Sequence, residues 1–226
     1  MNSIKQIEVI YNNRLVGRLA LTREGLCAFE YSAEWLSSGF SISPFELPLR
    51  SGVFIAKPRP FEGGFGVFDD CLPDGWGLLI LDRYLQQKGI NPRTLTLLDR
   101  LALVGSTGRG ALEFRPDNSV VTRQDFADFE KLALEAEKIL ASDDYMGEGI
   151  EEFQDRGGSP GGARPKIFVR YNDKEWLVKF RAKRDSQSIG VDEYRYSLLA
   201  KECGIEMPET RLFEGKYFGV ERFDRT

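Results

Sequence analysis

Hydrophobic and polar positions alternate from Gln6 to Tyr11 and again from Arg14 to Leu21, with the pair Asn12-Asn13 between them. A period of two sends successive side chains to opposite faces, and an asparagine pair suits a tight turn. These runs therefore predict a hairpin. Leu26 to Tyr31 adds a third candidate strand. From Ser37 to Asp74 the pattern dissolves into a loop-rich stretch carrying Phe40, Phe45, Phe54, Phe61, Phe65 and Phe68 among Gly and Pro. The period then lengthens. Pro73-Asp74 opens a helix in which Leu78, Leu79, Leu81, Tyr84 and Leu85 recur at three- and four-residue spacing, and Lys88-Gly89 supplies a cation and a stop. A second helix is predicted from Thr94, as N-cap, through Leu95, Leu97, Leu98, Leu101 and Leu103 to Gly105. Both helices are expected to cover one face of the sheet. The glycine cluster Gly105 to Gly110 reads as a turn leading into a short strand, Ala111 to Phe114.

The polar run Asp117 to Thr122 marks a boundary, after which Asp125 to Ala141 has the apolar stripe of an amphipathic helix. Ser142 to Gly149 breaks it, and the acidic residues Glu151, Glu152 and Asp155 lead to a loop with four glycines in ten residues, Gly157 to Lys166. Lys166 to Tyr171 and Glu175 to Phe180, joined by Asn172-Asp173, predict a second hairpin, with Lys179 on its second strand. A helix is expected from about Asp192 to Cys203, with Glu193 near its start and Gly204 as its stop. Two further strands, Thr210 to Phe213 and Tyr217 to Phe223, are joined by Glu214-Gly215-Lys216. The order is glycine loop, strand, strand with a lysine, helix with a glutamate, strand, strand. It matches the small lobe of a protein-kinase-like fold, in which the loop covers phosphates, the lysine pairs with them and the glutamate holds the lysine. The fold class expected for the whole chain is α+β.

Glycines leave backbone N–H groups uncovered, so a loop such as Gly157-Gly158-Ser159-Pro160-Gly161-Gly162-Ala163-Arg164-Pro165-Lys166 can form a nest for an anion. It is not a Walker A loop, because Ile167 follows Lys166 where a hydroxyl would be needed, and it does not open a helix as a dinucleotide fingerprint does. Its composition also fits a flexible linker. Gly63, Gly64 and Gly66 read as a packed aromatic turn rather than a second phosphate loop.

Composition narrows the chemistry. The 226 residues contain no histidine, which excludes Ser-His-Asp and Cys-His machinery and His-ligated metals. Carboxylates, lysine, arginine and backbone dipoles remain, a set sufficient for phosphoryl transfer. A net charge of -4 gives no global footprint for nucleic acid. Cys27, Cys71 and Cys203 are too dispersed for a zinc site and suit a reducing compartment. No leader or membrane-length apolar run is evident, so a cytoplasmic location is expected.

Six motifs in order resemble the HipA family, the serine/threonine kinase toxins of bacterial type II toxin-antitoxin modules. They are Phe61-Glu62-Gly63-Gly64, Leu72-Pro73-Asp74-Gly75-Trp76-Gly77, Ser159 to Lys166, Trp176-Leu177-Val178-Lys179-Phe180, Leu199 to Ile205, and Val220-Glu221-Arg222-Phe223-Asp224-Arg225. The resemblance implies an N-terminal β-rich subdomain over residues 1–115, then a linking helix and a kinase-like nucleotide-binding small lobe over 116–226. It implies that Ser159 is an autophosphorylation site and that Gly161, Gly162, Ala163 and Lys166 belong to a phosphate-binding loop. Lys179 becomes the ATP-binding lysine and Glu193 the helix glutamate. Glu221 and Phe223 become the hinge that holds adenine, with Asp224 near the sugar.

ATP and Mg2+ are the implied cosubstrates, and an aminoacyl-tRNA synthetase, glutamyl-tRNA synthetase in particular, the implied substrate. A small helix-turn-helix antitoxin of the HipB kind is the implied partner and would bring any DNA contact. Family members continue past the hinge into a helical lobe that carries the catalytic aspartate, its asparagine and a metal-binding aspartate, whereas this sequence ends at Thr226. The chain alone is therefore expected to be inactive. The alternative is a non-catalytic protein that binds an antitoxin or a complementary kinase fragment.

Overall fold

The computed structural model describes residues 4–108, 110–119, 127–157 and 161–223. In chain order they form β1 (Gln6–Tyr11), β2 (Arg14–Leu21), β3 (Cys27–Tyr31), α1 (Ala33–Ser38), β4 (Val53–Ile55), α2 (Gly66–Asp69), α3 (Gly75–Gln87), a 3₁₀ turn at Pro92–Thr94, α4 (Leu97–Val104) and β5 (Leu112–Arg115). There follow α5 (Phe129–Ala141), α6 (Gly149–Gly157), β6 (Lys166–Tyr171), β7 (Lys174–Lys179), α7 (Ile189–Glu202), β8 (Thr210–Phe213) and β9 (Tyr217–Glu221). The fold is α+β, with two antiparallel sheets in two units.

The first unit takes in the described residues of 1–73 and 91–119. Its sheet runs β4-β3-β2-β1-β5, all neighbours antiparallel. Asn12 and Asn13 turn the first hairpin with φ of 47° and 59°, the left-handed pair that a two-residue turn between twisted strands requires and that Asn tolerates. The inward faces of the strands bury Val9, Val16, Leu19, Phe29 and Phe114, and Trp35, Phe68, Leu98 and Leu101 close over them. Most of the phenylalanines in the loop-rich stretch prove structural: Phe54 lies on β4, Phe65 and Phe68 are buried at α2, and Phe40 packs edge-on against Trp35. The Gly63–Gly66 segment is such an aromatic turn, with the ring of Phe61 lying against Gly66.

α4 starts later than its apolar spacing suggests. Thr96, not Thr94, is the N-cap, and its hydroxyl and the Asp99 carboxylate bond reciprocally to each other's amides. Asp99 lies three residues beyond Thr96, the spacing of a capping box, and that local geometry outranks a threonine two residues earlier.

The second unit takes in residues 74–90 and the described part of 120–226. Here lies one correction. α4 packs on β1, β2 and β5 of the first sheet, whereas α3 packs on α6 instead of joining it there. An apolar stripe says that a helix is buried on one side but does not name the partner. α6 itself occupies residues expected to be an irregular acidic approach to the glycine loop. Its two apolar anchors, Ile150 and Phe153, are fully buried, and Phe153 meets Trp76 of α3 edge-on with ring centroids 5.0 Å apart.

The second sheet runs β6-β7-β9-β8. Asn172 and Asp173 turn its first hairpin with φ of 50° and 61°, repeating the geometry of the Asn12-Asn13 turn. Ile167, Val169, Trp176 and Val178 point toward α5 and α6 and form the core with Leu132, Ala136 and Ile139. Residues of the opposite phase, Phe168, Leu177 and Val220, stand side by side on the other face and are only half-buried. α7 begins three residues earlier than its apolar spacing suggests and rests on β8 and β9. Among the described residues, no helix is long and apolar enough to cross a membrane.

Candidate functional site

The segment 161–165 leads into β6, and Lys166 opens that strand directly opposite Lys179, the last residue of β7. As direct cross-strand partners, the two lysines project from the same face of the sheet. They end in different surroundings. Lys166 is buried, and its ammonium reaches back to the carbonyl of Gly161. Lys179 is half-buried and points to α7, where its Nζ donates to Oε2 of Glu193 at 2.8 Å. The same ammonium lies 5.2 Å from the centroid of the Phe218 ring.

Glu193 reaches this position because α7 approaches β9 closely. A Cβ on Gly190 would come within 2.0 Å of the carbonyl oxygen of Lys216, so only glycine permits the contact. One turn further along, the Ser197 hydroxyl bonds to that of Thr210 on β8 at 2.8 Å, and both residues are buried.

The other oxygen of Glu193 accepts from Arg164 at 2.7 Å, so one carboxylate ties the loop and the strand lysine together. Arg164 also pairs with Asp185 through its Nε at 2.9 Å. Burial alone would raise the Asp185 carboxyl, but the Ala182 amide and Arg164 outweigh it and hold it below its usual range. The bond to Asp185 in turn pushes the Arg164 guanidinium up.

A second tie comes from α3. Gly162 donates its N–H to Oδ1 of Asp74 at 2.5 Å, and its carbonyl accepts from the Trp76 N–H at 3.1 Å. The loop is thus fastened at Gly162 by α3 and at Arg164 by α7. A cavity of about 350 Å³ opens beside the Lys179–Glu193 pair between α5 and α7. Its wall carries Arg164 and Arg181 with the rings of Phe180, Tyr217 and Phe218.

The sequence-derived candidates therefore divide. Gly161, Gly162, Ala163, Lys166, Lys179 and Glu193 come together around one end of the sheet. Glu221 lies apart, opposite Trp176, three residues or about 10 Å along β7 from Lys179. Its side chain pairs with Lys174 at 2.9 Å, and its N–H donates to the Glu209 carbonyl at 2.8 Å. Phe223 follows β9 with its ring largely exposed. Ser159 and Asp224 lie outside the described residues. Sequence reasoning missed Asp74 and Trp76 as partners of the loop, and Arg164 as a second partner of Glu193. The signal for the first was the motif Leu72 to Gly77, whose aspartate and glycines exceed what a helix start needs.

The 161–166 segment, the strand lysine Lys179 and the helix glutamate Glu193 thus meet at one end of a four-stranded antiparallel sheet. The comparison with family models then places the chain. The HipA N-terminal domain matches residues 7–115 and the HipA-like C-terminal domain matches residues 158–226. The chain belongs to the HipA family. No curated protein matches it.

Proposed function

We propose that the second sheet and α7 form the nucleotide-binding small lobe of a HipA-type serine/threonine kinase, acting as the toxin of a toxin-antitoxin pair. The observation that carries this reading is the 2.8 Å pair between Lys179 and Glu193 beside the glycine loop. An ammonium held by a carboxylate on one side is oriented to meet a phosphate on the other, and phosphoryl transfer depends on such positioning.

The residues present fit ATP. Phe168, Leu177 and Val220 offer a half-buried apolar plate on the same face as Lys179, suited to an adenine ring. In this reading the amides of Gly161, Gly162 and Ala163 surround the phosphates with Lys166 beneath them. The backbone of Glu221 and Phe223 holds the adenine edge, and Asp224 lies near the ribose. Mg2+ arrives with the nucleotide and neutralises its phosphates. Ser159 is the residue whose phosphorylation silences the loop. The protein substrate in this reading is an aminoacyl-tRNA synthetase, and the setting is the cytoplasm.

A second reading, a surface that docks a helix-turn-helix antitoxin, is favoured by α7 and its exit. Tyr196, Leu199 and Ile205 stand exposed there, at 72%, 51% and 57%. DNA would then be reached only through the partner.

Titration of the chain with MgATP tests the first reading. Saturable binding that Lys179→Met weakens supports it. Absence of binding, or binding indifferent to Lys179→Met, refutes it.

A further inference from the structure

Asp74 stands at the N-cap of α3 with extended backbone, φ -122° and ψ 170°. An aspartate in that position ordinarily accepts from the second or third amide of its own helix. Asp74 makes no such cap bond. It spends Oδ1 on the Gly162 amide instead, at 2.5 Å, across 88 residues of sequence.

The next two residues are fitted to the same contact. Gly75 sits at φ +45°, and a Cβ there would come within 2.8 Å of the Gly162 carbonyl. Trp76 returns the bond by donating to that carbonyl. Three consecutive residues, the N-cap and the first two positions of α3, are thus shaped around Gly162 of the loop. The chemistry of the contact is that of anion binding, since an ionised oxygen accepts from a backbone N–H freed by glycine.

We propose that Asp74 is an internal anion that competes with nucleotide phosphate for the Gly162 amide, so that α3 sets the affinity of the loop. The proposal rests on reading the loop as phosphate-binding. In the structure three donors of the described part of the loop face oxygens already: Gly162 faces Asp74, Arg164 faces Glu193 and Asp185, and Lys166 faces the Gly161 carbonyl. A phosphate approaching Gly162 must displace a carboxylate and meets its charge. Removing that carboxylate frees the donor and lifts the repulsion. A residue that only shaped the loop would act in the opposite direction when removed, and the sign separates the two roles.

The test is calorimetric titration of the 226-residue chain with MgATP, comparing wild type with Asp74→Ala, Asp74→Asn and Lys179→Met. Asp74→Ala is expected to tighten binding roughly tenfold, the worth of one charge-assisted hydrogen bond. Asp74→Asn is expected to fall between it and wild type, because an amide oxygen keeps the Gly162 bond without the charge. It decides the question should Asp74→Ala fail to fold. Hydrogen exchange at Gly162 is expected to quicken in Asp74→Ala. Equal or weaker binding by the Asp74 variants, with Lys179→Met still weakening it, overturns the role of Asp74 and leaves the nucleotide reading standing. No binding by wild type or by either Asp74 variant removes both.

Discussion

The ammonium of Lys179 lies 2.8 Å from one oxygen of Glu193, and the other oxygen of that carboxylate lies 2.7 Å from Arg164. One glutamate on α7 therefore fixes both the strand lysine and the glycine loop. If the pair serves a nucleotide, Lys179→Met weakens MgATP binding roughly ten- to a hundredfold, the worth of a charge-assisted bond. Lys174→Met is the control. That lysine is an exposed strand residue paired with Glu209 and Glu221, and its loss is expected to leave the titration unchanged. Equal, mild effects of both substitutions would reduce Lys179 to an ordinary strand lysine.

Gly75 gives a second expectation. Its φ of +45° and its approach to the Gly162 carbonyl leave no room for a side chain. Gly75→Ala is expected to cost about 1–3 kcal/mol, read as a lower melting midpoint, and to open the loop to protease. Gly190→Ala is expected to act at the other tie, because a Cβ there meets the Lys216 backbone and displaces α7 with Glu193. Loss of MgATP affinity is its readout.

Stability should also depend on acid through Asp99. Burial alone would raise this carboxyl, yet the Ile4 amide and the amide and hydroxyl of Thr96 all donate to it and hold it below its usual range. Its contribution is complete at neutral pH and fades as the pH falls below about 4, through the depressed folded value. Asp99→Ala is expected to cost about 1.5–3 kcal/mol at pH 7, with the gap to wild type shrinking toward pH 3. A gap that stays constant across that range would show that the ionised form is not what matters.

Phosphate on Ser159 would add about -1.5 to -2 charge close in sequence to the Gly161 and Gly162 amides. Chain carrying phosphoserine at that position is expected to bind MgATP roughly tenfold more weakly than unmodified chain, through like-charge repulsion. Equal affinities would dismiss the switch.

How much of this was legible in the sequence depended on the range of the interactions. Hairpins were, because Asn12-Asn13 and Asn172-Asp173 carry their turn geometry in adjacent residues. The Lys179 and Glu193 positions followed from the order of the elements around them. α6 was not legible, because Ile150 and Phe153 make too short an apolar stripe to stand out among acidic neighbours. Nor was the destination of α3, since its buried face meets α6 only in three dimensions. The bond from Gly162 to Asp74 lay beyond sequence reasoning for the same reason: Asp74 at a helix start looks like a cap, and only the fold reveals that it serves another segment.

The central claim is that this end of the second sheet holds a nucleotide. It is tested most directly by the backbone-amide footprint of MgATP on the chain, followed by NMR. The account expects shifts concentrated at Gly161 to Lys166, at Leu177 to Lys179, around Glu193 and along Phe218 to Phe223, and expects Lys179→Met to require roughly ten- to a hundredfold more MgATP to produce them. Saturating MgATP that leaves those amides unmoved, or that moves only residues of the first sheet, would contradict it.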